Sequence, residues 1–265
     1  MEHTNTCKNC AAVFAGQFCN NCGQQLIEER WNMKRLLRSA SAVVFNLEKG
    51  FFHTFKHMLL HPSMVIKDYL NGKTICYTNP FRYAVLCIAA SVFISLGLGI
   101  WDIQMEKTIE TYRTLGMVDS EASEERMRKI FGVVSKLLNF IPLFAFPFMA
   151  WSTRLFYKKH GFHYAEHLIM VTFITGQVTL YNILSYIFAF FVPNLVSWTF
   201  GFGVLASTVV YGQTFQGLFK TSKLEGFAMG FLAYLLGFLA FLLTIMILGF
   251  IIGIIVGFIY AKMKG

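Results

Sequence analysis

The longest unbroken apolar run in the chain extends from Gly226 to Ala261, 36 residues without Asp, Glu, Lys, Arg or His. About 20 helical residues cross a hydrocarbon core of about 30 Å, whereas apolar runs of about 10–14 suit the buried helices of soluble proteins. The run therefore predicts a membrane-spanning helix. Four earlier apolar segments predict further spans at about residues 81–101, 130–156, 165–192 and 195–215. The pattern is that of an all-α polytopic membrane protein with five transmembrane helices. Splitting 226–261 into two helices would give six and return Lys262 and Lys264 to the starting side, but no Pro, Asn or charge marks a turn there. Unsplit, that helix would be about 54 Å long and must tilt, kink or protrude. Gly249, Gly253 and Gly257 form a small-xxx-small ridge, suited to packing within the bundle or to a homodimer seam.

Ahead of the spans the pattern changes. Between Trp31 and Leu60, apolar residues including Val44, Leu47, Phe51, Phe55 and Met58 recur at helical spacing, with Lys49, His53, Lys56 and His57 on the other side. This predicts one or two amphipathic helices, lying in the membrane interface or packed beneath the bundle. His61-Pro62 ends that unit, and Ser63 to Asn71 forms a short helix closed by Gly72. Pro80 opens the first span, whereas Pro142 and Pro147 fall inside the second and kink it. The domain plan is a small N-terminal unit over residues 1–26, a linker and interfacial helices over 27–79, and a membrane domain over 80–265. Residues 24–30 read as a short polar tether.

Charge adds an orientation. The net charge is +9; residues 1–82 carry ten Lys/Arg against five acids, and 102–129 carry five against seven. That asymmetry follows the positive-inside rule, places the N-terminus in the cytoplasm, and gives no reason to expect nucleic acid as a partner. The polar N-terminus does not read as a secretory signal. The 102–129 loop is expected outside, partly helical.

Candidate chemistry begins with cysteine. Four of the six Cys fall in Cys7-Lys-Asn-Cys10 and Cys19-Asn-Asn-Cys22-Gly23. Two CxxC turns facing each other build the tetrahedral thiolate cage that zinc prefers, and Gly23 allows the positive φ of such a turn. The closed four-ligand set points to structural zinc at Cys7, Cys10, Cys19 and Cys22; a redox dithiol pair is the alternative. Val13, Phe14 and Phe18 are the residues available to pack one hairpin, too few for a core without the metal. This usage also indicates a reducing compartment.

A second cluster is His163-x-x-Glu166-His167, an H-x-x-E-H pattern. On a helix it places two imidazoles on one face beside a carboxylate, the requirement for a metal-dependent hydrolase, with Glu225 as the acidic residue left for a third ligand. A non-catalytic polar cluster that pins the start of the third span is the plainer reading. Gln177, Asn182, Gln213 and Gln216 read as interhelical hydrogen bonds or as the lining of a polar cavity near Glu166 and His167. No P-loop, dinucleotide fingerprint or GxSxG elbow is present.

In combination, several motifs resemble one family. They are Cys7, Cys10, Cys19 and Cys22 with Gly23-Gln24; Phe45-Asn46-Leu47-Glu48-Lys49-Gly50-Phe51; and His61-Pro62 through Tyr69-Leu70-Asn71-Gly72-Lys73. Asn79-Pro80-Phe81-Arg82-Tyr83 and Tyr164-Ala165-Glu166-His167 complete the set. The chain resembles uncharacterised bacterial membrane proteins of Bacteroidetes type, which join an N-terminal zinc ribbon to a multi-helix membrane domain. Thr74 departs from the Arg expected after Gly-Lys. The resemblance implies an architecture and a bacterial inner-membrane location, without an activity. Three functions follow as expectations: a membrane scaffold or regulator docking a protein partner through the ribbon, a transporter or lipid-handling protein, and a membrane hydrolase.

Overall fold

The computed structural model describes residues 4–27, 30–41, 50–118, 120–138 and 141–264. The head is a two-stranded antiparallel hairpin, β1 (Thr4–Thr6) and β2 (Val13–Ala15), with Asn5 opposite Phe14. Helices follow: α1 (Met33–Ser41), α2 (Gly50–Leu60), α3 (Pro62–Leu70), α4 (Pro80–Gly97), α5 (Ile100–Thr114) and α6 (Glu121–Leu138). The chain continues with α7 (Ile141–Tyr157), α8 (Tyr164–Phe191), α9 (Thr199–Phe219) and α10 (Lys223–Lys264), with 310 turns before α8 and α9.

Among the described residues, four helical stretches are long and apolar enough to cross a membrane: Pro80–Gly97, Tyr164–Phe191, Pro193–Phe219 and Lys223–Ile251. One boundary differs from the sequence expectation. The first span ends at Gly97, because Gly99 adopts a left-handed conformation (φ 61°) and breaks the helix before Trp101. The second is helical where it is described, over residues 130–138 in α6 and 141–156 in α7; residues 139 and 140 lie outside the described residues. Pro147 does lie inside α7, and its carbonyl accepts the Tyr164 hydroxyl at 3.0 Å.

The hub of the bundle is α8, which packs against α4, α7 and α9, while α10 packs on α7 and α9. The most apolar helix is thus not the most buried. In the apolar window of α8 67% of residues are buried, but in that of α10 17%. A helix with few polar side chains is free to face lipid, whereas α8 carries Thr172, Gln177 and Thr179 and keeps them inside. Two interhelical bonds secure the core: Tyr83 donates to Gln177 Oε1 (2.5 Å), and Ser152 donates to the Ala233 carbonyl (2.6 Å). Gln213, expected among such bonds, is exposed.

α10 is continuous across Gly249. The expected glycine ridge is not where helices meet, for nothing lies within 4 Å of a Cβ placed on Gly249 or Gly253; Gly257 lies outside the residues whose side chains are described. The close approach is at Gly212 of α9, where an added Cβ would come within 2.6 Å of the Phe227 ring and 3.0 Å of the Phe227 backbone. Gly212→Ala is expected to destabilise the detergent-solubilised protein by about 1–3 kcal/mol by overpacking, and Gly249→Ala by less than about 0.5 kcal/mol. Thermal unfolding of both variants checks this; equal midpoints would contradict it.

The chain leaves two ends of different character. At one lie the hairpin, α1, α2, α3, the 310 turn Lys158–His160 and the start of α10. In α2, Thr54 and Met58 face the core with Phe51 and Phe55 against it, while Phe52 is 80% exposed. The packing of α2 beneath the bundle is thus observed; residues 42–49, with Val44, Leu47 and most of the Phe45–Phe51 motif, lie outside the described residues. The opposite end carries α5 and α6, joined by Arg128 to Glu106 and by Arg113 to Glu124, with Arg128 also paired to Glu124 within α6.

Candidate functional site

Each CxxC forms the same knuckle. The Ala11 N–H donates to the Cys7 carbonyl and the Gly23 N–H to the Cys19 carbonyl, at 2.9 and 2.8 Å. Cys7 N–H then bonds Ala12 and Cys19 N–H bonds Gln24, closing two matching turns. Both turns require a left-handed residue: Gly23 at φ 72°, as expected, and Ala11 at φ 60°, which the sequence did not reveal. An L-residue with a Cβ is disfavoured there by about 1–2 kcal/mol. Ala11→Gly should therefore favour the folded knuckle by about 0.5–1 kcal/mol, once glycine's greater unfolded-state freedom is allowed for. Chelator titration would then show metal held about two- to fivefold more tightly.

The four sulfurs lie within 4.8 Å of one another, with Cys7 and Cys22 Sγ 3.5 Å apart and Cys10 and Cys19 Sγ 3.6 Å apart. A tetrahedral ion with metal–sulfur bonds of about 2.3 Å separates its sulfurs by about 3.8 Å, so the cage matches a metal ion. Asn9 N–H points at Cys7 Sγ (3.4 Å). Hydrogen bonding from the Ala12 backbone lowers the Cys10 thiol to about 6, whereas burial raises Cys19 to about 11. Around the cage only Phe14 fills the role expected of three residues; Val13 and Phe18 are 69% and 55% exposed. The hairpin is too small to enclose them.

The segment read as a polar tether is a latch. The Gln24 side chain is buried, with Oε1 accepting Thr74 and Ile75 N–H (both 2.9 Å) and Nε2 donating to Thr74 Oγ1 (3.0 Å) and the Gln25 carbonyl (2.9 Å). Both donors and both acceptor positions of that amide are used. Lys8 donates to the Ile27 carbonyl, and Cys76 Sγ bonds Asn9. Trp31 stacks on Tyr69 at 5.3 Å, Tyr69 meets Phe173 edge-on at 5.4 Å, and Arg35 lies 4.5 Å over Trp31. An aromatic path thus leads from the head through α3 to α8. A Trp within a charged stretch was the one legible sign of this docking; Gln24 carried none.

The same latch decides the H-x-x-E-H cluster. Glu166 accepts a bidentate bond from Arg30, at 2.6 and 2.7 Å, and caps α8 by accepting His163 N–H at 2.6 Å. Arg30 also donates to the Gly161 carbonyl (3.0 Å) and faces the Phe162 ring. The carboxylate raises the Arg30 pKa further. His163 sits at the N-cap, outside the helix, so it does not share a helix face with His167 as the pattern assumed. His167 is fully buried, edge-on to Phe162, and Glu225 is exposed at the start of α10. Among the described residues the cysteines are the single group of three or more His, Cys, Asp or Glu whose donor atoms converge.

A cavity of about 360 Å³ lies at Glu166, as expected, lined also by Lys8, Arg30, Asn71 and Phe162, though not by His167 or Gln213. A second, of about 420 Å³, lies away from all three. This second cavity opens between α5, α7, α8, α9 and α10 and is lined in part by Asn182.

These features define a mostly helical protein with, among the described residues, four helices able to cross a membrane and an N-terminal cluster of four cysteines able to hold a metal ion. Residues 48–92 match a family model described as "Protein of unknown function (DUF3667)", which spans the Gly50-Phe51, His61-Pro62 to Lys73 and Asn79 to Tyr83 motifs. No curated protein and no solved structure matches the chain.

Proposed function

We propose that this chain is a scaffold of the bacterial inner membrane, with its N-terminus in the cytoplasm, whose zinc-held head docks a protein partner. In this reading α7 is the fifth span. Its 17 residues give about 26 Å, close to the hydrocarbon thickness, and it packs between α8 and α10. Five crossings put the head at the same end as Arg154, Lys158, Lys159, Lys220 and Lys223, consistent with the positive-inside rule. Zinc is the ion favoured by four thiolates in a closed tetrahedral set, and it supplies the folding energy that so small a hairpin lacks.

The observation that carries the docking reading is the contrast between the head's two sides. One side is committed to the chain's own 71–79 loop through Gln24 and Asn9; elsewhere Val13 and Phe18 stand uncovered on a rigid support. Exposed apolar residues on a head already latched in place suit a partner surface. The test is capture from mild detergent with the wild-type chain and a Val13→Ser/Phe18→Ser variant that retains one zinc. A protein held by the wild type and reduced at least tenfold with the variant supports docking. Equal recovery with both, or none with either, sinks it.

A further inference from the structure

We infer that the cavity between α5, α7, α8, α9 and α10 binds an uncharged, hydroxyl-bearing lipid. Its volume of about 420 Å³ falls within the range of small-molecule sites. Among the described residues no Asp, Glu, Lys, Arg or His lines it, so a phosphate, carboxylate or ammonium head would be buried without a counter-charge. The walls are chiefly apolar, with Met149, Val178, Val204 and Phe238 among them.

Three lining residues carry buried polar atoms with no hydrogen-bond partner among the described residues: Trp101 Nε1, Asn182 Oδ1 and the Tyr211 hydroxyl, the last on a residue 2% exposed. Other hydroxyls there are already committed to their own helices, Thr179 to the Thr175 carbonyl, Ser207 to Gly203 and Thr199 to Val196. An indole N–H only donates, an amide oxygen only accepts, and a phenol does either. A ligand hydroxyl complements that set, accepting from Trp101 or Tyr211 and donating to Asn182. Phe200, 65% exposed and 6.1 Å from the Phe238 ring, stands on the outer side of α9, which gives a lipid lateral access. The assignment does not depend on what the head binds.

The test uses the full chain in phosphatidylcholine nanodiscs and a monoacylglycerol probe with a photoreactive group in its acyl chain. Saturable labelling is expected within 199–219 and 223–245. Unlabelled monooleoylglycerol should compete at least about tenfold better than methyl oleate, which has no hydroxyl, and lysophosphatidate of the same chain should not compete. Tyr211→Phe removes one oxygen and leaves the packing; together with Asn182→Leu it should weaken labelling by about five- to tenfold per variant. An unchanged thermal midpoint shows that a variant is folded, and Tyr211→Phe decides the matter if Asn182→Leu is not. Labelling spread evenly over α10, labelling unaffected by Tyr211→Phe, or effective competition by lysophosphatidate would overturn the assignment. Absence of saturable labelling would mean that the cavity holds water only, and would overturn it equally.

Discussion

Replacing Cys7 and Cys10 with serine is expected to abolish metal binding, from one ion per chain to none, and to unfold the head. Two thiolates cannot complete the tetrahedral set, and free energies of structural zinc binding are about 10–16 kcal/mol, far more than Phe14 and its few neighbours can replace. The loss should travel. Gln24 follows the second knuckle directly and holds the 74–75 backbone, so without the knuckle Thr74 and Ile75 N–H lose their acceptor. Proteolysis should then cut between the head and Trp31 within minutes under conditions where the metal-loaded protein resists. Metal analysis and a protease time course measure both effects. A variant that keeps a full equivalent of metal, or that stays protease-resistant, would contradict the geometry described for the cage.

The second large effect is expected at Arg30. Its removal leaves the Glu166 carboxylate, whose side chain is 4% exposed, with His163 N–H as the remaining partner. Breaking a fully buried pair costs about 3–5 kcal/mol. The Arg30 side chain is 51% exposed, and solvent screens its half of the interaction, so about 2–3 kcal/mol is the better figure. Arg30→Ala should lower the unfolding midpoint accordingly, whereas Glu166→Gln keeps the shape and a capping oxygen and should cost less. Adding Glu166→Gln to Arg30→Ala should recover part of the loss, because no buried charge is then stranded; a double-mutant cycle gives the coupling. Purely additive single effects would mean that the two residues act independently.

The site was legible in the sequence to the extent that its chemistry is local. A CxxC pair brings its own turn, so the four ligands and the positive φ at Gly23 could be read from spacing, although Ala11 could not, because alanine does not advertise a left-handed backbone. The H-x-x-E-H pattern misled for the converse reason. It presumes that all five residues are helical, but α8 begins at Tyr164, which leaves His163 outside the helix and turns Glu166 into a cap. Glu166 then meets an arginine 136 positions away, a pairing that no local pattern encodes.

The sequence by itself determined that most of this chain is apolar helix, where charge interrupts it, and which cysteines converge, because hydrophobicity, helix-breaking residues and knuckle spacing act over a few neighbouring positions. Tertiary structure decided which helix became the hub. α8 was drawn inside because its polar side chains need partners, and α10 was left outward because its apolar run has few to satisfy, with Thr244 bonded to the Ala240 carbonyl of its own helix. It also decided that Gln24, Arg30 and Trp31 act as a latch and that a cavity opens beside Asn182 and Tyr211. Both depend on how far-separated surfaces fit together, which the order of residues does not express.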